Sequence, residues 1–485
     1  MRIPIFSLMP ENWSTCVSRL SLGVLFALLS SSVVLAQTSA DSLLVEEVVI
    51  LGHKKTRSSI IFREMPFGSG DRLAIAELPE LVAAAENNLM NTGLFVRVDI
   101  AYADWQPPDN RVTFEVKVQE TWYLFPVPIF ELADRNFNVW WSEQNRSLDR
   151  VNFGLKFTHY NFSGRRDRLR LAFQYGYTRE YGIGYRLPYL GKEKNLGLEI
   201  DWSYARRREQ NYATLDNQQL FYQNRDDFVY RRSELRVSSS YRRRLYTRHS
   251  FTAAWRHERI ADTIAMDLNP SFFGQGKREQ DFIWLEYQFE HDHRDVRGYP
   301  WTGDYVRLQL NKAGLGLLGQ RNGFTFRGDY RRYTPIGRRF SLNTSVALKY
   351  SLVREQQPFL DNQALGFGSN TLSGYQFYVI DGLDMVILRT GLRWELIRSE
   401  LNLPKLVFID AFRRIPFRVL AAFQFDQGWA NMPFQRESND LANTWLAGMA
   451  AGIDVVLYFD MALSFRYQRN HLREGAFLIE FDANF

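Results

Sequence analysis

Two kinds of hydrophobic pattern divide this chain of 485 residues. Between about 43 and 120, alternating segments at 45–51, 95–102 and 111–118 surround two stretches with apolar residues at helical spacing, 56–64 and 74–90. Thr56 stands where its hydroxyl could cap the shorter helix. The predicted order of elements is strand, helix, helix, strand, strand.

From residue 125 onward, helical spacing gives way to alternation with a period of two. In 167–177, Leu169, Leu171 and Phe173 share one face, and Arg168 and Arg170 share the other. Such segments run to the ~10 residues that a tilted strand needs to cross a membrane, whereas strands of soluble sandwiches are shorter. Sixteen strands are predicted, starting near 126, 151, 167, 180, 194, 228, 248, 281, 304, 323, 340, 384, 417, 444, 461 and 475.

The overall composition hides this membrane character. The chain is 45% apolar and 24% charged with a mean hydropathy of −0.32, which is typical of soluble proteins, but a membrane barrel also averages to neutral hydropathy. Residues 1–36 are typical of a signal peptide, with an apolar run at Leu20–Leu29 and a cleavage site after Ala36. The single cysteine, Cys16, precedes that site, so disulfides are not expected in the exported chain.

The region 43–120 resembles a POTRA domain. The stretches that carry the resemblance are "VEEVVILGHKKTRSSIIFREM", "NNLMNTGLFVRVDI" and "RVTFEVKVQETWYLFPVP". The resemblance implies a sheet edge that is offered to extended client peptides, which is the β-augmentation mode of recognition. A spacer that only holds its neighbour in place is the alternative.

The end of the chain resembles the sorting signal of outer-membrane barrels, because Phe477, Ile479, Phe481 and Phe485 share one face of the last strand. A POTRA-like unit over 43–120 followed by a barrel over 125–485 is similar to the BamA/TamA/two-partner-secretion superfamily. The implied fold class is an α+β POTRA-like domain followed by an all-β transmembrane antiparallel barrel. The implied location is the outer membrane of a Gram-negative-type bacterium, with the POTRA-like domain in the periplasm.

A literal Val-Arg-Gly-Tyr at 296–299 has the form of a motif that marks the inward-folded loop of this superfamily. Its surroundings resemble a different family motif, a turn that leads into a mid-barrel strand. The residues that match this pre-strand motif are Asp292, Arg294, Asp295, Pro300 and Gly303. The tetrapeptide at 296–299 is therefore predicted to be a decoy.

The inward loop is predicted at 366–396 instead. The residues that match its motif are Leu372, Ser373, Gly374, Tyr375, Asp381 and Gly382, with Ser373 in the place of the family arginine. In the family, that arginine resembles a latch to a lumen acid on a later strand, which Asp426 and Gly428 match here. Because a buried carboxylate needs a partner, Asp426 must find another one, and Arg393 is one candidate among many.

The resemblance implies a protein-assembly or translocation factor that passes extended clients to the barrel without nucleotide hydrolysis. Its implied partners are outer-membrane lipid and unfolded client polypeptides, with periplasmic chaperones or accessory lipoproteins as further candidates. No catalytic, cofactor-binding or metal-binding set is recognised, and export makes nucleic acid an implausible partner. A passive pore or structural barrel protein is the alternative, although a pore would not need a POTRA-like module.

Overall fold

The computed structural model describes residues 42–106, 110–190, 195–244, 246–319, 321–402, 414–434, 438–457 and 461–482. The predicted signal peptide with Ala36, and Phe485 at the chain end, lie outside these residues. The chain divides into two compact units. The described part of the first is 42–53 with 58–106 and 110–120, and that of the second begins with 54–57 and continues from 121.

The first unit is a four-stranded sheet with two helices. Its elements in chain order are β1 (Ser42–Leu51), a helix (Ser58–Glu64), β2 (Arg72–Ala74), a second helix (Leu78–Met90), β3 (Phe95–Gln106) and β4 (Arg111–Glu120). The sheet order is β2-β1-β4-β3, with β1 parallel to β4 and the other pairs antiparallel. Val45, Ile61, Leu89 and Phe114 are fully buried between the sheet and the helices. The fold matches the predicted order, with β2 as a short addition.

Thr56, which the sequence suggested as the cap of the first helix, forms hydrogen bonds with residues far from it in the chain. The helix begins at Ser58, and Thr56 belongs to the second unit. There its hydroxyl shares a 3.1 Å hydrogen bond with the Tyr123 hydroxyl and accepts a 2.8 Å bond from Asn161 Nδ2. The capping role of Thr56 stays a prediction.

The second unit is built almost entirely of strands. In chain order they are β5 (Leu124–Leu132), β6 (Val151–Tyr160), β7 (Arg168–Gly176), β8 (Thr178–Leu190), β9 (Leu196–Arg207), β10 (Glu209–Leu215), β11 (Gln218–Gln223), β12 (Tyr230–Arg244), β13 (Thr247–Ile260), β14 (Glu279–Asp292), β15 (Gly303–Ala313), β16 (Gly323–Ile336), β17 (Phe340–Ser351), β18 (Gln363–Leu365), β19 (Ile380–Asp381), β20 (Asp384–Asn402), β21 (Arg414–Asn431), β22 (Leu446–Val456), β23 (Ala462–Asn470) and β24 (Gly475–Asp482). Sixteen of them form one antiparallel sheet, while β10 pairs only with β11 and β18 only with β19. All sixteen predicted strands are confirmed, and the largest difference in a starting position is between 417 and Arg414.

The sheet closes on itself. Its two end strands are β5 and β24, and Asn138 Nδ2, just after β5, donates a 2.6 Å hydrogen bond to the Phe477 carbonyl on β24. The end strands are therefore neighbours, as closure into a barrel requires. Within the described residues, however, no backbone pairing joins β5 to β24. This junction is called the seam below.

Alternation sorts the side chains of the barrel into an apolar outer face and a polar inner one. Trp202, Phe251 and Leu285 are exposed on the outer face. On the inner face, Arg170 donates to Asp201 at 2.6 Å. None of the helices in the described ranges combines the length and the apolar character needed to span a bilayer.

Candidate functional site

Two connections fold against the inner face of the barrel. The first joins β17 to β20 and is called the inward loop (352–383); the second joins β14 to β15 and is called the inward turn (293–302). The inward loop contains the predicted loop motif, and the inward turn contains most of the predicted pre-strand motif. They contact different residues of the strands β20 to β23.

Glycines let the tetrapeptide Leu372–Tyr375 lie directly on the barrel wall. A Cβ on Gly448 of β22 would lie 1.8 Å from the Ser373 carbonyl oxygen, and one on Gly428 of β21 would lie 2.6 Å from the Leu372 side chain. Gly374 itself has φ +81° and would place a Cβ 2.6 Å from the Asn470 backbone nitrogen. No other residue fits these positions without displacement of the loop.

Ser373 binds the buried carboxylate of Asp426 in the absence of a loop arginine. The Asp426 Oδ2 atom accepts hydrogen bonds from the Ser373 amide at 2.9 Å and from the Ser373 hydroxyl at 2.7 Å. Gln424 Nε2 donates to both carboxylate oxygens at 2.9 Å. Asp426 is fully buried, so these donors replace the water that a carboxylate otherwise requires.

Cations reach the loop from elsewhere in the barrel and donate to its backbone carbonyls. Lys349 Nζ on β17 donates to the carbonyls of residues 361, 363 and 382 at 2.7, 2.9 and 2.8 Å. Arg389 on β20 donates to the carbonyls of 369 and 371 at 2.8 and 3.1 Å. Arg135, beyond β5, donates to those of 366, 377 and 378 at 3.3, 3.2 and 2.9 Å. At these positions the backbone carbonyls of the loop accept hydrogen bonds from cations that lie outside it.

The remaining residues of the loop motif lie at its base or against β23. Asp381 is in β19 opposite Gln363, and the Gly382 amide donates to the Asn362 carbonyl at 2.6 Å. The Tyr375 hydroxyl shares a hydrogen bond with His471 Nδ1. Burial raises the pKa of Tyr375 to about 12, so the hydroxyl remains neutral at any physiological pH.

The pre-strand motif builds the inward turn. Arg294 forms a fork with the Asp292 carboxylate at 2.8 and 3.0 Å, and Asp295 accepts from the amides of Val296 and Trp301 at 2.9 and 3.0 Å. Gly303 has φ +103°, and a Cβ there would lie 2.1 Å from the His293 carbonyl oxygen. Val296–Tyr299 therefore belongs to this turn and not to the inward loop.

Tyr299 of the inward turn reaches a second buried carboxylate. Its hydroxyl donates to Asp454 Oδ2 on β22 at 2.6 Å. Arg466 on β23 donates to both oxygens of Asp454, at 3.0 Å from Nε and 2.7 Å from Nη2. Arg393, which the sequence left open as a partner of Asp426, serves this turn instead, donating to the Pro300 carbonyl at 2.9 Å.

Sequence reasoning missed the residues that join these segments to the barrel. Arg135, Lys349, Arg389, Asp454 and Arg466 were not singled out, since a charged residue on the polar face of a strand is ordinary there. Lys349 is the one charged residue on a strand face that otherwise carries Asn, Ser and Ala. This contrast could have marked it as a residue with a specific partner. Phe477, Ile479 and Phe481 of the sorting-signal prediction lie on β24. Phe477 and Ile479 are exposed, and the side chain of Phe481 is not among those described.

Comparison with known proteins gave matches to two family models. The Omp85 superfamily domain matches residues 161–384, and the POTRA model, described as a surface antigen variable number repeat, matches 43–121. Comparison with curated proteins gave no match. The chain therefore carries a POTRA domain and an Omp85 superfamily domain over these ranges.

Two solved structures share the fold. The crystal structure of BamA from Haemophilus ducreyi lacking POTRA domains 1–3 is 13% identical with a TM-score of 0.61, covering 91% of this chain and 83% of that one. CdiB from Acinetobacter baumannii is 12% identical with a TM-score of 0.51, covering 91% and 73%. At these identities the likeness concerns the fold alone.

Proposed function

We propose that the protein inserts or translocates client polypeptides at the outer membrane of a Gram-negative-type bacterium, with its POTRA domain in the periplasm. The match to the Omp85 superfamily domain supports an insertion or translocation role in general terms. The observation that carries the proposal is the combination of a POTRA domain with a sixteen-stranded barrel whose end strands share no backbone pairing in the described residues. Unpaired strand edges can bind another chain without nucleotide hydrolysis.

Client recruitment on the POTRA domain would use the free edge of β3. This strand lies at the edge of its sheet, and Val96 on it is 59% exposed. The Ile100 amide on β3 already donates to Glu86 Oε1 at 2.9 Å. An extended client that pairs along β3 by β-augmentation would therefore replace the Glu86 carboxylate with its own carbonyls.

A passive pore is disfavoured by the two inward connections. The inward loop and the inward turn both pack onto the inner face, and the Ser373–Asp426 and Tyr299–Asp454 contacts are buried. Outer-membrane lipid and unfolded clients are the proposed partners, with periplasmic chaperones and accessory lipoproteins as candidates for capture.

Site-specific photo-crosslinking in living cells tests the function. A photoreactive residue would replace Val96 on β3, Phe130 on β5 or Phe477 on β24, and Leu285 on the outer face of β14 would be the matched control because it is also exposed but far from the seam. Capture of unfolded outer-membrane proteins at Val96 and at the seam, and not at Leu285, is expected for insertion. Capture of soluble exported proteins would indicate secretion, and only lipid or self crosslinks at all sites would contradict both.

A further inference from the structure

The pairing of β5 with β6 fixes which backbone groups of β5 face the seam. The Tyr160 amide donates to the Tyr123 carbonyl, and the Ala133 amide donates to the Arg150 carbonyl, each at 2.8 Å. Between these bonds the register runs from Leu124 to Leu132 without a bulge. Since successive residues of a strand direct their N–H and C=O groups to opposite edges, the odd-numbered residues of β5 bond to β6 and the even-numbered ones face the seam.

Both prolines of β5 are even-numbered, so they remove donors from the free edge. Pro126 and Pro128 have no N–H group, and each still presents a carbonyl to the seam. At an odd position either proline would have broken the pairing with β6, and proline is tolerated in sheets only where its nitrogen faces away from a partner. The first half of the β5 edge is therefore rich in acceptors and poor in donors.

The free edge of β24 contains no proline and therefore lacks no N–H donor. The Asn470 amide donates to the Glu474 carbonyl at 3.0 Å, and the register with β23 then runs without a bulge. The even-numbered residues of β24 therefore bond to β23, and Gly475, Phe477 and Ile479 face the seam with both N–H and C=O. The bond from Asn138 to the Phe477 carbonyl reaches β24 from that free side.

We propose that Pro126 and Pro128 keep β5 from pairing, both with β24 and with clients, so that an extended client segment pairs with the free edge of β24. A strand placed on β5 would have carbonyls without donors opposite the two prolines, and such groups are costly away from water. A strand on β24 would find alternating donors and acceptors beside the exposed Phe477 and Ile479 side chains. The occupant is thus an extended segment with alternating apolar residues, and this inference rests on the proposed function.

Hydrogen–deuterium exchange at single-residue resolution tests the seam without any client. In the protein in phospholipid vesicles, the amides of Phe477 and Ile479 are expected to exchange much faster than those of Leu478 and Glu480. The double variant Pro126→Val/Pro128→Val restores two donors to β5, so that β5 can pair with β24. Exchange at 477 and 479 should then slow by about tenfold or more, because in the paired strands these two amides donate to carbonyls of β5. Equal exchange of odd and even residues in the unmodified protein would overturn the proposal, as would an unchanged rate in the double variant.

Pro335→Val is the matched control, because Pro335 lies on β16, away from the seam. It should leave exchange at 477 and 479 unchanged. Electrophoretic heat-modifiability verifies that each variant has folded into a barrel, and the single variants Pro126→Val and Pro128→Val replace the double one if it does not fold.

The direction of client pairing is tested with a defined probe. A urea-denatured eight-stranded outer-membrane protein is added to vesicles of phosphatidylethanolamine and phosphatidylglycerol that contain the protein with a photoreactive residue at Phe130 or Ile479. Capture at 479 is expected to exceed capture at 130 by about tenfold, and the double proline variant should lower that ratio. Equal or greater capture at 130 overturns the proposal. Capture at neither site overturns client pairing and the proposed function together, whereas the exchange pattern would still decide the state of the seam.

Discussion

The inward turn and the inward loop each contact a fully buried aspartate of the barrel wall, but the two carboxylates have different hydrogen-bond partners. Asp454 has a guanidinium partner in Arg466 as well as the Tyr299 hydroxyl. Asp426 is hydrogen-bonded to uncharged donors, from Ser373 and Gln424. A paired charge depends strongly on its partner, whereas a carboxylate held by several neutral donors can lose one at smaller cost. The carboxylate of Asp454 is thus held by a hydrogen-bonded ion pair, and that of Asp426 by neutral donors.

The largest expected effect comes from removal of Arg466, which hydrogen-bonds to Asp454, whereas the hydrogen-bond donors of Asp426 are uncharged. Arg466→Met keeps much of the side-chain volume but leaves Asp454 buried without its charge partner, which is expected to cost about 3–5 kcal/mol of unfolding free energy. Urea unfolding followed by tryptophan fluorescence in detergent micelles measures it. Arg469→Met, on the same strand, is the matched control, and an equal effect of both variants would contradict the assignment.

The next largest effect is expected from a methyl group that displaces the inward loop from the barrel wall. Gly448→Ala places a methyl group within 1.8 Å of the Ser373 carbonyl oxygen and should cost about 1–3 kcal/mol as the loop shifts. Gln376→Cys, buried in the loop, reports this shift as faster labelling by a maleimide. The control is Gly182→Ala, whose nearest contact would be 3.6 Å away. Unchanged labelling in Gly448→Ala would show that the loop does not need this glycine.

Removal of one hydroxyl from each site compares the two carboxylates directly. Ser373→Ala should cost about 1.5–3 kcal/mol, since Asp426 then keeps only uncharged amide donors. Tyr299→Phe should cost less, about 0.5–1.5 kcal/mol, because Arg466 still binds both oxygens of Asp454. The two unfolding free energies are measured under the same conditions, and the reverse order would contradict the explanation given for the difference.

The smallest expected effect is coupling between the two sites. Arg466 Nη1 donates to Gln424 Oε1 at 3.2 Å, and Gln424 donates in turn to Asp426, so one amide joins the two carboxylate networks. A double-mutant cycle of Tyr299→Phe and Ser373→Ala should give a coupling of about 0.5–1 kcal/mol. In a Gln424→Leu background this coupling should vanish. Additive effects with Gln424 intact would mean that the sites act independently.

The barrel was predictable from the sequence to within three residues at every strand start, because the period of two is a local property that each strand carries by itself. The motif at 372–375 and Asp426 could also be located, and they do meet. The short strand β2 and the hairpins β10–β11 and β18–β19 were not anticipated, since very short segments leave too few residues for a period to be recognised.

What the sequence by itself determined is the set of elements: a POTRA-type order of strands and helices, sixteen alternating strands, and two connections with recognisable motifs. Only the tertiary structure decided which side chains meet across them. Ser373 on Asp426, Tyr299 on Asp454, and Lys349, Arg389 and Arg135 on the loop carbonyls all join residues distant in sequence or on different elements. The pairing of β5 with β6 likewise decides that the nitrogens of Pro126 and Pro128 face the seam. Register and closure of the sheet set these distances, and neither is encoded in the alternation of any single strand.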